Sequence, residues 1–267
     1  MNSNILNIIK GICVGGSMMI PGVSGGSMAI ILGIYNDLIC AVSSFFSHKK
    51  NSIKLLGTFL LGGVTGMVIF AKPLLYLTDN YTFPMMYFFV GAVGGSIPMI
   101  YKQCEMKKVS LKSILYIILG IIIVFLISCI PKELFDVDLN NGIKDYLLLI
   151  IAGMTVAVAL VLPGISASYM LLVLGMYEET IRAIDEFYFP YLLPLGVGLL
   201  LGIIITTKIL EKAMRTYTEE SNLIILGFVI GSVMGVFPGI PAYNLLLICL
   251  FALACGYCLI RKISSIT

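Results

Sequence analysis

Pro-Gly-x-Ser occurs twice in this chain, each time inside an apolar stretch, and the pair constrains the fold more than any other feature. Residues 20–39 read IPGVSGGSMAIILGIYNDLI and residues 162–181 read LPGISASYMLLVLGMYEETI. The two align without a gap at an offset of 142, with eight of twenty positions identical. The identities are Pro21/Pro163, Gly22/Gly164, Ser24/Ser166, Met28/Met170, Leu32/Leu174, Gly33/Gly175, Tyr35/Tyr177 and Ile39/Ile181. A duplication of this kind divides the chain into two halves, and each half breaks its backbone where most membrane proteins keep an intact helix.

Composition sets the class. The chain is 59% hydrophobic and only 12% charged, against about 25% charged residues in a soluble domain. With a mean hydropathy of +1.05, it reads as an all-α polytopic membrane protein, a single integral domain over residues 1–267. Seven cysteines, mostly within apolar runs, argue against a disulfide scaffold. Cys255 and Cys258 form a lone CxxC with no second pair and no nearby histidine, so they read as small helix-packing residues. Lys10 interrupts the first apolar run and no small-residue cleavage site follows, so no cleavable signal is expected.

The apolar segments fall as two sets of five. The first set is about 4–20, 24–46, 54–77, 83–101 and 110–130; the second is about 145–162, 166–184, 189–210, 221–238 and 242–260. Beyond the opening motif the offset becomes 136. There Gly62, Gly66, Lys72, Leu74 and Tyr81 meet Gly198, Gly202, Lys208, Leu210 and Tyr217, and Gly91, Gly95 and Ser96 meet Gly227, Gly231 and Ser232. Repeat one is therefore placed at about 1–131 and repeat two at about 143–262.

Proline removes a backbone donor and pushes its predecessor out of helical geometry, and glycine permits a tight turn. Each Pro-Gly-x-Ser is then either a short loop joining two full spans or the tip of a re-entrant hairpin. Re-entrance is favoured because no charge marks a water boundary at the tip. Lys10 stands ten residues before Ile20, roughly 15 Å along a helix. That is about half a hydrocarbon core, so a midplane tip places Lys10 at the interface. Each repeat is expected to be one such hairpin followed by three transmembrane helices.

Under either topology each half crosses an odd number of times, which makes the repeats inverted. Lys10, Lys49, Lys50, Lys54, Lys102, Lys107, Lys108, Lys112, Lys208, Lys212, Arg215, Arg261 and Lys262 fall on the side of the N-terminus. Only Lys72, Lys132, Lys144 and Arg182 fall on the other, a split of 13 to 4. The positive-inside rule then places both termini in the cytoplasm. The basic loop at 102–112 fits contact with anionic membrane lipid, and no nucleic-acid partner is expected.

Two hairpin tips approaching from opposite faces bring hydroxyls and unpaired backbone N–H groups to one centre. Such a centre suits an anion, with phosphate the natural guest. The candidate phosphate-binding residues are Gly22, Ser24, Gly25, Gly26 and Ser27 in the first copy, and Gly164, Ser166, Ala167 and Ser168 in the second. The plainer alternative is that they only make the turn and cap the helix. Lys72 and Lys208 are repeat mates, read either as snorkelling side chains or as charges attracting an anionic head group. Asp37 and Glu179 are mates expected at the surface, and His48, the only histidine, is expected in a solvated loop. No base accompanies the motif serines and no arginine lies in either motif, so no catalytic residue, cofactor or metal is expected.

At PGVSGGSMAIILGIY (Pro21–Tyr35) and PGISASYMLLVLGMY (Pro163–Tyr177), with the glycine-bearing spans after each, the chain resembles the PopT-type polyprenyl-phosphate transporters. The resemblance extends over nearly the whole chain. It implies translocation of undecaprenyl phosphate across the bacterial cytoplasmic membrane, returning a carrier lipid to cell-envelope synthesis. Met18 stands where that family often has an aspartate, and Ala167 stands where its second copy has glycine. The missing acid leaves a coupling ion, H+ or Na+, undefined. Polyprenyl-diphosphate phosphatases are the alternative, but their loops carry arginine where this chain has Gly25 and Ala167. A transporter of another small anion is the third reading.

Overall fold

A computed structural model describes residues 3–18, 24–45, 47, 49–104, 110–130 and 143–264. Every regular element among them is helical. The first half contains α1 (Ser3–Ser17), α2 (Gly25–Ile31), α3 (Tyr35–Ser43), α4 (Lys49–Asn80), α5 (Thr82–Gln103) and α6 (Leu111–Ser128). The second contains α7 (Ile143–Val161), α8 (Ala167–Val173), α9 (Tyr177–Asp185), α10 (Phe189–Thr216), α11 (Thr218–Val236) and α12 (Tyr243–Ser264). The order repeats element for element. Six of these helices, α4, α5, α6, α7, α10 and α12, are long and apolar enough to cross a membrane. Their outer faces expose large apolar side chains such as Leu60, Val68, Leu247 and Phe251. Lipid solvates such a surface, and closed helices leave no backbone group unpaired within it.

The fold corrects one sequence expectation. Segments 24–46 and 166–184 each read as one continuous apolar element, but each is two short helices. α2 and α8 both end after seven residues, and α3 and α9 are both nine. The turn between α2 and α3 bends the chain by 116°. The cause is local. Gly33 has φ 63° and Gly175 has φ 73°, the left-handed region that a side chain disfavours. The Gly33 N–H donates to the Ile30 carbonyl and the Ile34 N–H to the Ala29 carbonyl. The Gly175 N–H donates to Leu172 and the Met176 N–H to Leu171 in the same way. This is the Schellman pattern, which satisfies the last carbonyls of a helix and turns the chain away.

Close helix pairs hold the halves together. α1 packs on α4 and α7 on α10, each within one half, whereas α5 packs on α12 and α6 on α11, across the halves. Glycine sets the spacing. A Cβ on Gly62 would lie 2.2 Å from the Ile8 carbonyl oxygen, and one on Gly198 2.1 Å from that of Ile150. Across the halves, a Cβ on Gly91 would lie 2.0 Å from the Leu253 oxygen and one on Gly227 2.2 Å from that of Ile117. These contacts are related by the same offsets of 142 and 136 that relate the sequences. Packing of this closeness drives association where lipid removes the hydrophobic drive between helices. α5 also meets α11 at the centre. Beside them, Ile30, Ile34 and Tyr35 share a buried core with Val93, Val161, Leu226 and Val229.

Candidate functional site

The two copies of the motif start their short helices alike. Ser24 precedes α2 in extended geometry at φ −84°, ψ 131°, and Ser166 precedes α8 at φ −88°, ψ 127°. Their carbonyls accept the first helical bonds, from Met28 at 3.2 Å and Met170 at 3.0 Å. The hydroxyls then differ. Ser166 Oγ accepts from the Tyr169 N–H at 3.4 Å, whereas the Ser24 hydroxyl makes no cap bond. Ser24 lies 4% exposed on the wall of a crevice.

The copies touch. The Gly164 N–H donates to Ser27 Oγ at 2.9 Å, across 137 residues of sequence. A Cβ on Gly26 would lie 3.1 Å from Cα of Pro163, so α2 begins directly against the second proline. Gly164 itself has φ +84°, and a Cβ there would lie 2.3 Å from the Phe228 carbonyl oxygen of α11. A second tie lies one turn further along. The buried Tyr35 hydroxyl donates to the Val161 carbonyl at the end of α7, at 2.9 Å. Together these bonds satisfy backbone groups that the broken helices leave open.

The crevice beside this contact is lined by Ser24, Ser27, Met28 and Ile31 of the first motif, Phe89, Ala92 and Val93 of α5, and Ser232 and Val236 of α11. It encloses room for about one water molecule. Its described lining has three hydroxyls and no ionisable group. Ser232 donates to the Val229 carbonyl at 2.7 Å, and its repeat mate Ser96 donates to Val93 at 2.6 Å. Each of those hydroxyls spends its one proton on that carbonyl, so it donates to a guest only by turning away from it. Among the described residues no three His, Cys, Asp or Glu side chains gather as a metal site would require.

Of the sequence candidates, Ser24, Gly26, Ser27 and Gly164 come together. Gly25 lies beside the Met18 side chain, where a Cβ would approach the sulfur to 2.8 Å. Ser166 is half-buried as a cap, Ala167 is half-buried at the first position of α8, and Ser168 is exposed. Lys72 and Lys208 are exposed on α4 and α10, and neither lines the crevice. Gly22 and His48 lie outside the described residues. Sequence reasoning passed over Tyr35 and Ser232 as site residues. The signal was present in both: Tyr35/Tyr177 is an identical pair, and Ser96/Ser232 is a polar pair inside glycine-rich spans.

A family model described as undecaprenyl phosphate translocase-like matches residues 14–245. A polyprenyl-phosphate transporter of Staphylococcus aureus (strain NCTC 8325 / PS 47) is 33% identical over 250 residues, covering 88% of this chain and 87% of that one. A polyprenyl-phosphate transporter of Vibrio cholerae serotype O1 (strain ATCC 39315 / El Tor Inaba N16961) is 29% identical over 244 residues, covering 86% of this chain and 76% of that one. No solved structure matches. With a family match over residues 14–245, which include both motifs, this multi-pass membrane chain belongs to the undecaprenyl phosphate translocase-like family.

Proposed function

We propose that the chain translocates undecaprenyl phosphate, or a polyprenyl monophosphate like it, across the bacterial cytoplasmic membrane. The observation that carries the reading is the contact of the two Pro-Gly-x-Ser segments, Ser27 with Gly164, beside a crevice whose described lining has hydroxyls but no fixed charge. A phosphate reaching this contact meets hydroxyl and backbone donors of Ser24, Gly26, Ser27 and Gly164 once the crevice widens beyond the single water it now admits; the other candidates, Gly22, Gly25, Ser166, Ala167 and Ser168, belong to the same two segments. Neutral donors bind an anion less tightly than an arginine clamp, so the head group is released as readily as it enters. The prenyl tail stays outside, against apolar helix faces such as those carrying Leu60 and Val68. Lys72 and Lys208, exposed on repeat-mated helices, draw the head group toward opposite mouths of the path.

The same reading makes the halves inverted repeats, with re-entrant tips at the two motifs and both termini in the cytoplasm. The 13 to 4 split of basic residues supports that orientation. The matched element order and the mated glycine contacts support the duplication. The names of both relatives describe transporters.

The test is reconstitution with a polyprenyl phosphate placed in one leaflet, followed by its arrival in the other. The wild-type chain is expected to accelerate exchange, and the double variant Ser24→Ala/Ser166→Ala to lose most of it while folding normally. Normal exchange by that variant removes the site assignment. No exchange by the wild-type chain removes the function.

A further inference from the structure

We infer that the crevice opens along the seam between two helix pairs, α5/α12 and α6/α11, at the end where residues 237–242 cross it, and that Tyr87 is the catch holding this end shut. The inference deepens the transport reading given above and rests on it.

The crevice admits about one water molecule, so a phosphate enters only when a wall moves. Two of its walls, α5 and α11, are each locked to a different partner. A Cβ on Gly256 of α12 would lie 2.1 Å from the Phe88 carbonyl oxygen of α5, and one on Gly120 of α6 2.3 Å from that of Ile224 in α11. Backbones this close shift as one body, because sliding one past the other drives side chains into backbone. α5 and α11 meet more loosely, across the seam. There Phe89 and Val236, both buried and both on the crevice wall, form a small cluster with Leu74 of α4 and Met85 beside it. Val236 stands four residues beyond Ser232, about 6 Å along the helix. The Phe89–Val236 contact therefore covers the hydroxyls from the C-terminal end of α11.

Tyr87 of α5 grips that end twice. Its ring packs on Phe237 with centroids 5.8 Å apart, and the Phe237 N–H is itself held by the Val233 carbonyl of α11 at 2.8 Å. Its hydroxyl donates to the Gly239 carbonyl at 3.1 Å, midway along the strap that leads from α11 to α12. Pro238 and Pro241 keep that strap out of either helix. The repeat supplies the device once. The mate of Tyr87 is Leu223, which is buried and has no hydroxyl, and α5 runs on as helix to Gln103 through the mates of Phe237 and Gly239. A ring contact and one neutral hydrogen bond are weak enough to yield to an entering head group. On the charge-based orientation, this end meets the outer leaflet.

The test has two arms. In a cysteine-free chain that still translocates lipid, Tyr87→Cys and Phe237→Cys are bridged in membranes by a short reducible bis-methanethiosulfonate. The bridge is expected to form and to stop polyprenyl-phosphate exchange until it is reduced. In a chain that retains Cys104, buried at the far end of α5, Ser232→Cys is labelled by a small water-soluble thiol reagent. Tyr87→Phe is expected to speed that labelling roughly two- to tenfold, the weight of one hydrogen bond, and to leave Cys104 unchanged. Three results overturn the catch: no bridge between positions 87 and 237, a bridged chain that exchanges lipid at the unbridged rate, or labelling that Tyr87→Phe leaves unchanged or raises at both cysteines. A wild-type chain without exchange removes the transport reading instead, and the labelling arm then decides the catch alone.

Discussion

Ser24 and Ser27 sit three residues apart at the start of α2, and the structure gives their hydroxyls different work. Ser27 Oγ accepts the half-buried Gly164 N–H, so Ser27→Ala leaves a backbone donor without its partner. A fully buried unpaired donor costs about 1–3 kcal/mol, and this one costs toward the lower end of that range. Ser24 makes no cap bond and faces the crevice. Ser27→Ala is therefore expected to lower the melting temperature in detergent clearly, and Ser24→Ala to lower it little while slowing lipid exchange. Equal losses of stability would contradict this division. Tyr35 belongs with Ser27, since its hydroxyl spans the two halves to Val161. Its repetition as Tyr177 was visible in the sequence, but the bond was not, because its acceptor is a backbone carbonyl that any residue supplies.

The short helices depend on glycine more than on their apolar content. In the sequence, MAIILGIY reads as one uninterrupted apolar run, and hydropathy alone extends a single helix through it. The Schellman turn at Gly33 ends it instead, and Gly175 repeats the device. Leu-Gly-x-Tyr at both copies was the available signal, a C-cap glycine within a run whose length suggested a span. Gly33→Ala and Gly175→Ala are each expected to cost about 1–2 kcal/mol, the penalty of a side chain in left-handed backbone. Thermal unfolding of the single variants measures it. A larger effect is expected at the helix pairs. Gly198→Val places its side chain onto the Ile150 carbonyl, and overpacking of this kind costs about 1–3 kcal/mol or more. A fluorescence-detected gel-filtration profile of Gly198→Val should show less folded protein than one of Gly196→Val, since a Cβ at Gly196 meets nothing within 4 Å.

At the scale of the whole molecule, the exchange of partners between halves matters most. α1/α4 and α7/α10 pair within a repeat, but α5/α12 and α6/α11 pair across, so neither half keeps its full set of neighbours alone. The halves expressed as separate chains are therefore expected to co-purify when made together, and each to aggregate when made without the other. Isolated folding of either half would contradict this dependence. The sequence by itself determined the class, the duplication and the family resemblance. These follow from residue identity and spacing, which a linear chain displays directly. Only the tertiary structure decided that Ser27 meets Gly164, that Ser232 joins the crevice, and that Lys72 and Lys208 lie outside it. Duplicated sequences encode two equivalent contacts. Which of the two is made depends on the relative position of packed helices, a property of the folded state that no local pattern of residues carries.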